Sequence, residues 1–259
     1  MTSEQHEYVY GDRDAIIFRT GNGDVKISYD FFRRAVEKAD EVIAKIGEFD
    51  VDIFGTLGMR NLSAFIGEVF ASSLAKVADG LLMRNPHQDG YPDLLILNEE
   101  GKQEIERLKN NLRDKKPFSP FKHGGIEVKA SCGSVPTPAT LQKRGLQKPI
   151  IGDTRINLMT GYDWKAHHRE TINLVGVLWD FLDHKPTIVA IFYSNRIGPS
   201  DWGEIISPKK GGGRTTSVSI MNRKGVRKMY EGWVAVLKDR RYVDFLNRYN
   251  GGRLIPIPK

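Results

Sequence analysis

The order in which hydrophobic periodicities follow one another is the feature that most constrains the fold of this chain. Apolar residues recur at helical spacing in residues 30–47 and again from about Asn61 to Val77. Apolar runs rich in β-branched and aromatic residues then predict strands at 91–97, 126–131, 171–182 and 187–194. Helical patterns return near the end and predict helices at 224–237 and 239–249. Helices first, strands in the middle and helices last predict a mixed α/β fold.

Chain length bounds the domain organisation. A chain of 259 residues is long enough for one large domain or two small ones, and we expect a single domain with elaborations. We find no internal repeat and no low-complexity tract that would divide it. The predicted parts are a helical N-terminal extension over residues 1–60, a core over residues 61–195, and a basic loop with C-terminal helices over residues 196–259.

The charge of the chain is compatible with a polyanionic partner. Lys and Arg number 39 against 32 Asp and Glu, which gives a formal net charge of +7 at pH 7 and a pI of about 9.3. Such a balance suits nucleic acid as a partner. Many basic proteins bind no nucleic acid, however, so charge alone does not decide the function.

Cysteine content and hydropathy indicate the compartment. The single cysteine, Cys132, allows neither an intrachain disulfide nor a cysteine-based zinc site. The polar N-terminal segment lacks the apolar core of a signal peptide. The longest apolar runs, such as Ile188–Tyr193, are too short to span a bilayer. We therefore expect a cytoplasmic protein with no membrane partner.

Three charged residues on two predicted strands are the main candidates for a catalytic site. Side chains alternate along a strand, so Glu127 and Lys129 share one face while their neighbours point to the other. Burying a carboxylate and an ammonium group on an apolar strand is unfavourable unless something uses them. If the strand that starts near Asp93 lies alongside, two carboxylates converge and make a hard-oxygen site for Mg²⁺. The alternative is the solvated face of an edge strand, with Asp93 capping a turn.

The spacing of these residues resembles a known signature. Pro92-Asp93, followed after 33 residues by Glu127-Val128-Lys129, is similar to the motif of the PD-(D/E)XK nuclease superfamily, whose best-known members are type II restriction endonucleases. The resemblance covers residues 60–195 and implies a restriction-endonuclease-like core, in which a central mixed β-sheet is flanked by helices. It also implies that Asp93 and Glu127 bind Mg²⁺ and that Lys129 assists the attacking water.

Glu68 is a fourth candidate. It is the only ionisable residue between Asn61 and Ala75, on a helix that is apolar or small on nearly all sides. We therefore expect this helix to be buried and Glu68 to point into the protein. The same superfamily often carries a further acidic residue on the helix before the first motif strand, which implies a metal-binding role for Glu68. Asp89 could also bind metal, but Asp-Gly more often marks a turn.

Two basic segments are candidates for DNA contacts. The loop that follows the Glu127 strand contains Gln142, Lys143 and Arg144, residue types that read bases and hold phosphates. A glycine-rich loop further on contains two lysines, an arginine and a threonine in positions suited to a phosphate backbone; these are Lys209, Lys210, Arg214 and Thr215. Both segments could instead be flexible polar surface loops.

Together these features predict a type II restriction endonuclease that cuts double-stranded DNA with Mg²⁺ and leaves 5′-phosphates. In such a site the metal would neutralise a phosphodiester and activate water, and Lys129 would orient or help deprotonate that water or stabilise charge on the phosphate. A homodimer is expected because a double-strand cut needs two sites, and a DNA methyltransferase is the expected genetic partner. The alternatives are a junction-resolving, repair or nicking nuclease of the same fold, and a DNA-binding module without catalysis.

Overall fold

Strands dominate the centre of the protein. The computed structural model describes residues 6–166, 172–208 and 217–258. The strands in this part of the chain are β1 (Tyr8–Tyr10), β2 (Ala15–Thr20), β3 (Gly23–Ser28), β4 (Leu82–Arg84), β5 (Leu94–Ile96), β6 (Gly125–Ser131), β7 (Lys165–Ala166), β8 (Leu174–Leu182), β9 (Lys185–Ser194), β10 (Trp202–Ile206), β11 (Val218–Met221) and β12 (Trp233–Leu237).

The helices begin at residues that cap them. They are α1 (Tyr29–Ile46), α2 (Ile53–Thr56), α3 (Met59–Val77), α4 (Glu99–Leu108), α5 (Pro138–Lys143), α6 (Arg223–Glu231) and α7 (Arg240–Tyr249). Each N-cap is a Ser, Thr, Asp or Asn whose side chain accepts a backbone N–H, except at α3, which starts after Gly58. Among the described residues, no helix has both the length and the apolar character needed to cross a lipid bilayer.

The central sheet is mixed. Its seven strands lie in the order β1-β12-β9-β8-β6-β5-β4. β6 and β8 are parallel, whereas every other neighbouring pair is antiparallel. Two smaller sheets, β10-β11-β7 and the hairpin β2-β3, complete the described strands. The predicted mixed α/β fold with a central mixed sheet flanked by helices is therefore confirmed.

Helices cover both faces of this sheet. One hydrophobic core joins α1, α3 and the β2-β3 hairpin to the sheet, and a second core joins α6, α7 and the segment 156–166 to the opposite face. We call these the α1/α3 face and the α6/α7 face. β8 and β9 are buried along nearly their whole length, as expected for strands that are covered on both sides.

The strongest periodic segments fold as predicted. The helix predicted over 30–47 is α1, the one predicted from Asn61 to Val77 is α3, and the one predicted over 239–249 is α7. The hairpin predicted from residues 171–194 is formed by β8 and β9. In each case the hydrophobic pattern and the observed burial coincide, because the apolar stripe is what the element packs against the sheet.

The helix predicted over 224–237 is wrong in its second half. α6 ends at Glu231, and Trp233–Leu237 form β12, between β9 and β1. All five residues of β12 are buried, so a run of Trp, Val, Ala, Val and Leu here fills both faces of the sheet. Gly232 makes the junction, because a Cβ there would lie 1.8 Å from the carbonyl oxygen of Tyr193.

Residues 1–60 are predicted to be a helical extension, but the described part of this segment contains strands as well as helices. α1 and the short α2 are preceded by three strands, β1 to β3. β1 pairs with β12 at one edge of the central sheet, and Phe18 and Ile27 of the hairpin are buried in the α1/α3 core. Residues 1–60 therefore contribute to the central sheet and its core, and strands from both ends of the chain extend the sheet beyond residues 61–195.

Asp180 on β8 connects three parts of the α6/α7 face. Its fully buried carboxylate accepts hydrogen bonds from Arg155 N (2.9 Å), Ile156 N (3.0 Å) and the Tyr242 hydroxyl (2.8 Å). We expect Asp180→Ala to lower the free energy of unfolding by about 3 kcal/mol, because these three donors lose their acceptor. Urea unfolding measures this loss. The exposed Asp79→Ala is the control, with an expected change within about 0.5 kcal/mol; equal stabilities would contradict the assignment.

Candidate active site

The β5–β6 pair positions the predicted acidic and basic residues on one face. β6 lies between β5 and β8, and Leu94 is paired with Ile126. Continuing this antiparallel register by one residue sets Asp93 opposite Glu127, so that both side chains lie on the same face. Ile126 and Val128 belong to the α1/α3 core. Asp93, Glu127 and Lys129 therefore belong to the α6/α7 face.

Asp93 is fixed by the end of β5. The strand begins only at Leu94, and the Asp93 Oδ2 atom accepts a hydrogen bond from the Val128 backbone N at 2.7 Å. The carboxylate thus joins the start of β5 to the backbone of β6. The backbone of Asp93 is held as well, because its carbonyl oxygen accepts from Asn85 N at 2.9 Å.

Lys129 lies between the two carboxylates. Its Nζ atom forms an ion pair with Glu127 Oε1 and is 3.9 Å from Asp93 Oδ2. Glu127 is only 5% exposed, and the Lys129 side chain is 24% exposed. These values and the interior position of β6 contradict the alternative of a solvated edge strand. A buried group of two carboxylates and one ammonium carries a net negative charge.

Burial and mutual charge change how these groups titrate. Burial, together with the nearby Glu127 carboxylate, raises the pKa of Asp93 to about 6, against the opposing effect of Lys129. Burial acts to lower the pKa of Lys129, but the Glu127 and Asp93 carboxylates outweigh it and raise the pKa above its ordinary value. Lys129 therefore keeps its proton at neutral pH and acts as a cation in this arrangement.

One oxygen of the site is buried without a partner. Glu127 Oε2 has no hydrogen-bond partner in the described part of the protein, which is unusual for a buried carboxylate oxygen. An added cation would satisfy this atom and reduce the repulsion between Asp93 and Glu127. Asp93 and Glu127 are thus the residues that could hold a metal ion here.

Two carboxylate ligands suit Mg²⁺ better than a metal whose coordination positions are all filled by protein side chains. No group of three or more His, Cys, Asp and Glu side chains that could hold a metal is found within the described residues. Mg²⁺ is commonly bound by one or two carboxylates, with water and phosphate oxygens filling the other positions. The pair of carboxylates, Asp93 and Glu127, is therefore compatible with this ion.

Comparisons with known proteins do not assign a family. No protein-family model, no curated protein and no solved structure matches the chain. The function must therefore be argued from the geometry of the site.

Glu68 does not point into the protein as predicted. Its side chain is 44% exposed and forms an ion pair with Arg84 of β4, on the α1/α3 face of the sheet. Two of the small residues near Glu68 do pack inward, since Ala71 is buried in the α1/α3 core and Ala75 packs against it. Glu68 itself lies on the part of the helix surface that lines an open cleft of about 320 Å³, together with Ser72 and Lys76. Glu68 remains near enough to act weakly on Asp93, whose pKa its charge helps to raise.

The other predicted contact residues lie at the surface or outside the described range. Gln142, Lys143 and Arg144 lie at the end of α5 and are exposed. Lys209, Lys210, Arg214 and Thr215 lie outside the described residues. Asp89 is exposed and ion-paired with Lys115 at 2.6 Å, so it takes no part in the Asp93 cluster.

Two buried asparagines that position the site were not predicted. Asn173 is 4% exposed; its side chain donates to the carbonyl oxygens of Arg19 (2.7 Å) and Gly125 (3.1 Å), and its backbone carbonyl accepts from Glu127 N (3.0 Å). Asn85 donates through Nδ2 to the carbonyl oxygens of Pro92 and Phe118, both at 2.9 Å. Only the tertiary structure shows these partners, because they are distant in sequence or lie in irregular segments.

Asn85 offers a test of how Asp93 is positioned. We expect Asn85→Ala to lower the free energy of unfolding by about 1–3 kcal/mol, since the buried carbonyls of Pro92 and Phe118 lose their donor. Any Mg²⁺ held by Asp93 and Glu127 should also bind more weakly, because the segment that carries Asp93 is no longer held. Urea unfolding and magnesium titration calorimetry measure both effects, with the exposed Asn110→Ala as control. Unchanged values in both measurements would show that Asn85 does not position the site.

Proposed function

We propose that this protein is a magnesium-dependent endonuclease that hydrolyses double-stranded DNA, with Asp93, Glu127 and Lys129 as its catalytic residues. The observation that carries the proposal is the unpartnered, buried oxygen of Glu127 beside a second carboxylate and a protonated lysine. Buried titratable groups whose pKa is shifted by specific charged neighbours are candidates for a functional site, and Asp93 and Lys129 share one face of the sheet. A net negative, oxygen-rich site beside a fixed cation suits a divalent ion and a phosphodiester.

Each residue has a separate role in this proposal. Asp93 and Glu127 would hold Mg²⁺, and the bound ion would supply charge neutralisation and a water of lowered pKa. Lys129 keeps its proton, so it donates hydrogen bonds to the attacking water or to a phosphate oxygen and stabilises the negative charge that develops there. The raised pKa of Lys129 disfavours the alternative in which this residue itself removes the proton from water.

The order of elements supports the resemblance to the PD-(D/E)XK superfamily. Helix α3 precedes strands β5 and β6, which carry Pro92-Asp93 and Glu127-Val128-Lys129, and β8 and β9 follow in the same sheet. This is compatible with the restriction-endonuclease-like core that the motif implies. Within that class we favour a cytoplasmic type II restriction enzyme, acting as a homodimer on a symmetric site, with a methyltransferase as genetic partner.

Digestion of a genome-sized, unmethylated DNA tests this proposal and its specificity together. With Mg²⁺, the purified protein should produce discrete fragments whose sequenced ends share a short motif and carry 5′-phosphates. EDTA should abolish the products. Nicks or random ends would favour a repair or nicking nuclease, and cuts confined to branched DNA a junction-resolving nuclease. Binding of duplex DNA without any cleavage across divalent metals would contradict the proposal.

A further inference from the structure

An arginine-lined cleft lies between the helices of the α6/α7 face. It has a volume of about 390 Å³ and is lined by Arg223, Val226, Arg227, Arg248 and the turn Tyr249-Asn250-Gly251. Among the described residues, none that lines it is acidic. Arg223, Arg227 and Arg248 are exposed, so their guanidinium groups are accessible from solvent.

The arginines of this cleft are only partly engaged within the protein. Arg227 is 3.4 Å from Glu231, and Arg248 Nε donates to the carbonyl oxygen of Asp244 at 3.2 Å. Within the described residues, neither a hydrogen bond nor an ion pair involves the Arg223 guanidinium. Arginine presents a planar fork of donors that matches two phosphate oxygens, so three such groups around one cleft favour a phosphate-bearing ligand.

The aromatic wall of the cleft is rigid. Tyr249 stacks on Phe245 with ring centroids 5.6 Å apart, and Asn250 Nδ2 donates to the Tyr162 hydroxyl at 2.8 Å. Gly161 lies so close to Tyr249 that a Cβ would be 2.7 Å from its hydroxyl oxygen. The arginines therefore project from a fixed surface, which reduces the entropy lost when they bind a ligand.

Short connections join this cleft to the catalytic strand. Ser134, which follows β6, donates from N to the Gly161 carbonyl at 2.8 Å, and Gly161 contacts Tyr249 in the wall of the cleft. Lys129 and Ser134 are five residues apart, a span of at most about 18 Å. The cleft and Lys129 lie on the same face of the sheet, and the Ser134–Gly161–Tyr249 contacts connect them.

We infer that the Arg223–Arg227–Arg248 cleft binds the phosphodiester backbone of the same duplex that is cut at Asp93, Glu127 and Lys129. This inference rests on the proposed function and adds a second, sequence-independent contact to it. The cleft holds phosphates through charge and bidentate hydrogen bonds, and so it contributes affinity and salt dependence rather than base recognition. Its ligand is the DNA backbone. Because a free nucleotide carries the same phosphate groups, the test must exclude a free nucleotide as the ligand.

The test compares duplex binding by two charge-matched double variants. Arg223→Gln/Arg248→Gln alters the cleft, and Arg34→Gln/Arg60→Gln removes the same charge from exposed positions on α1 and α3, the helices of the opposite face. Binding of two fluorescent duplexes of unrelated sequence is measured in EDTA over a range of salt concentrations. For the cleft variant we expect Kd to rise about tenfold or more for both duplexes, and the slope of log Kd against log salt to fall by about two.

A charge-preserving variant separates binding from folding. Arg223→Lys/Arg248→Lys should keep the salt slope of the wild type, whereas a loss equal to that of the glutamine variant would overturn the inference. The same Kd and salt slope for the cleft variant and the control variant would also overturn the inference. Cleavage of DNA by the wild type would in that case still support the proposed function. Displacement of duplex by free nucleotide at similar concentration would assign the cleft to small phosphates. If the wild type bound neither duplex, this inference would be wrong, and digestion of DNA in Mg²⁺ would still decide the proposed function.

Discussion

Lys129→Met is expected to reduce magnesium-dependent DNA cleavage by about 10²- to 10³-fold or more, the typical effect of removing a group that stabilises developing charge. Magnesium binding, in contrast, should persist or tighten. Lys129 is the counter-ion of Glu127 and Asp93 in the metal-free protein, so its removal leaves two carboxylates that attract a divalent cation more strongly. The opposite directions of the two effects separate a catalytic cation from a metal ligand.

Initial cleavage rates and magnesium titration calorimetry measure the two effects on the same preparation. Lys45→Met is a suitable control, because Lys45 is an exposed lysine that is ion-paired with Glu41 on α1. Cleavage by Lys129→Met within tenfold of the wild type would exclude a catalytic role for this lysine. Loss of both cleavage and magnesium binding would show that the variant has disrupted the site as a whole.

Asp93→Asn is expected to stabilise the metal-free protein while removing its activity. The pKa of Asp93 is raised from 3.8 to about 6 in the folded state, so folding disfavours its charged form. A raised carboxyl pKa means that the folded chain binds more protons than the unfolded chain between these two values. Metal-free stability should therefore fall as pH rises from about 4 to about 6, and the penalty remains complete at pH 8.

The expected gain for Asp93→Asn at pH 8 is about 1–3 kcal/mol in the free energy of unfolding, because asparagine can still accept from Val128 N but carries no charge. Urea unfolding in EDTA measures it, and the same comparison at pH 4 should show little difference. Added Mg²⁺ should raise the Tm of the wild type and leave that of the variant unchanged. A variant less stable than the wild type at pH 8 would contradict the titration argument.

Local patterns predicted much of the site. Alternation along β6 was enough to place Glu127 and Lys129 on one face, and the Pro-Asp sequence marked the start of the neighbouring strand. The structure adds that β6 is an interior strand and that Asp93 is opposite Glu127. These facts depend on which strands pair, a long-range property that the spacing of residues alone does not determine.

The errors in prediction have physical causes. The helical pattern of α6 favours a helix that continues through Trp233–Leu237, and the close contact of Gly232 with Tyr193 becomes visible only in three dimensions. The small residues around Glu68 predict that it is buried. Ala71 is buried in the α1/α3 core, but Glu68 lies beside an open cleft and pairs with Arg84 of β4. Asn85 and Asn173 act through backbone carbonyls, which no side-chain pattern reveals.

Cleavage of supercoiled plasmid by purified protein in Mg²⁺ is the most direct test that Asp93, Glu127 and Lys129 form a nuclease site. Three proteins are compared: wild type, Glu127→Gln, and Glu106→Gln, which alters an exposed glutamate paired with Lys109. The wild type and Glu106→Gln should convert the plasmid to linear product at similar rates, whereas Glu127→Gln, which removes the charge of the buried carboxylate, should leave it intact. Equal cleavage by all three, or none by the folded wild type with any divalent metal, would contradict this account.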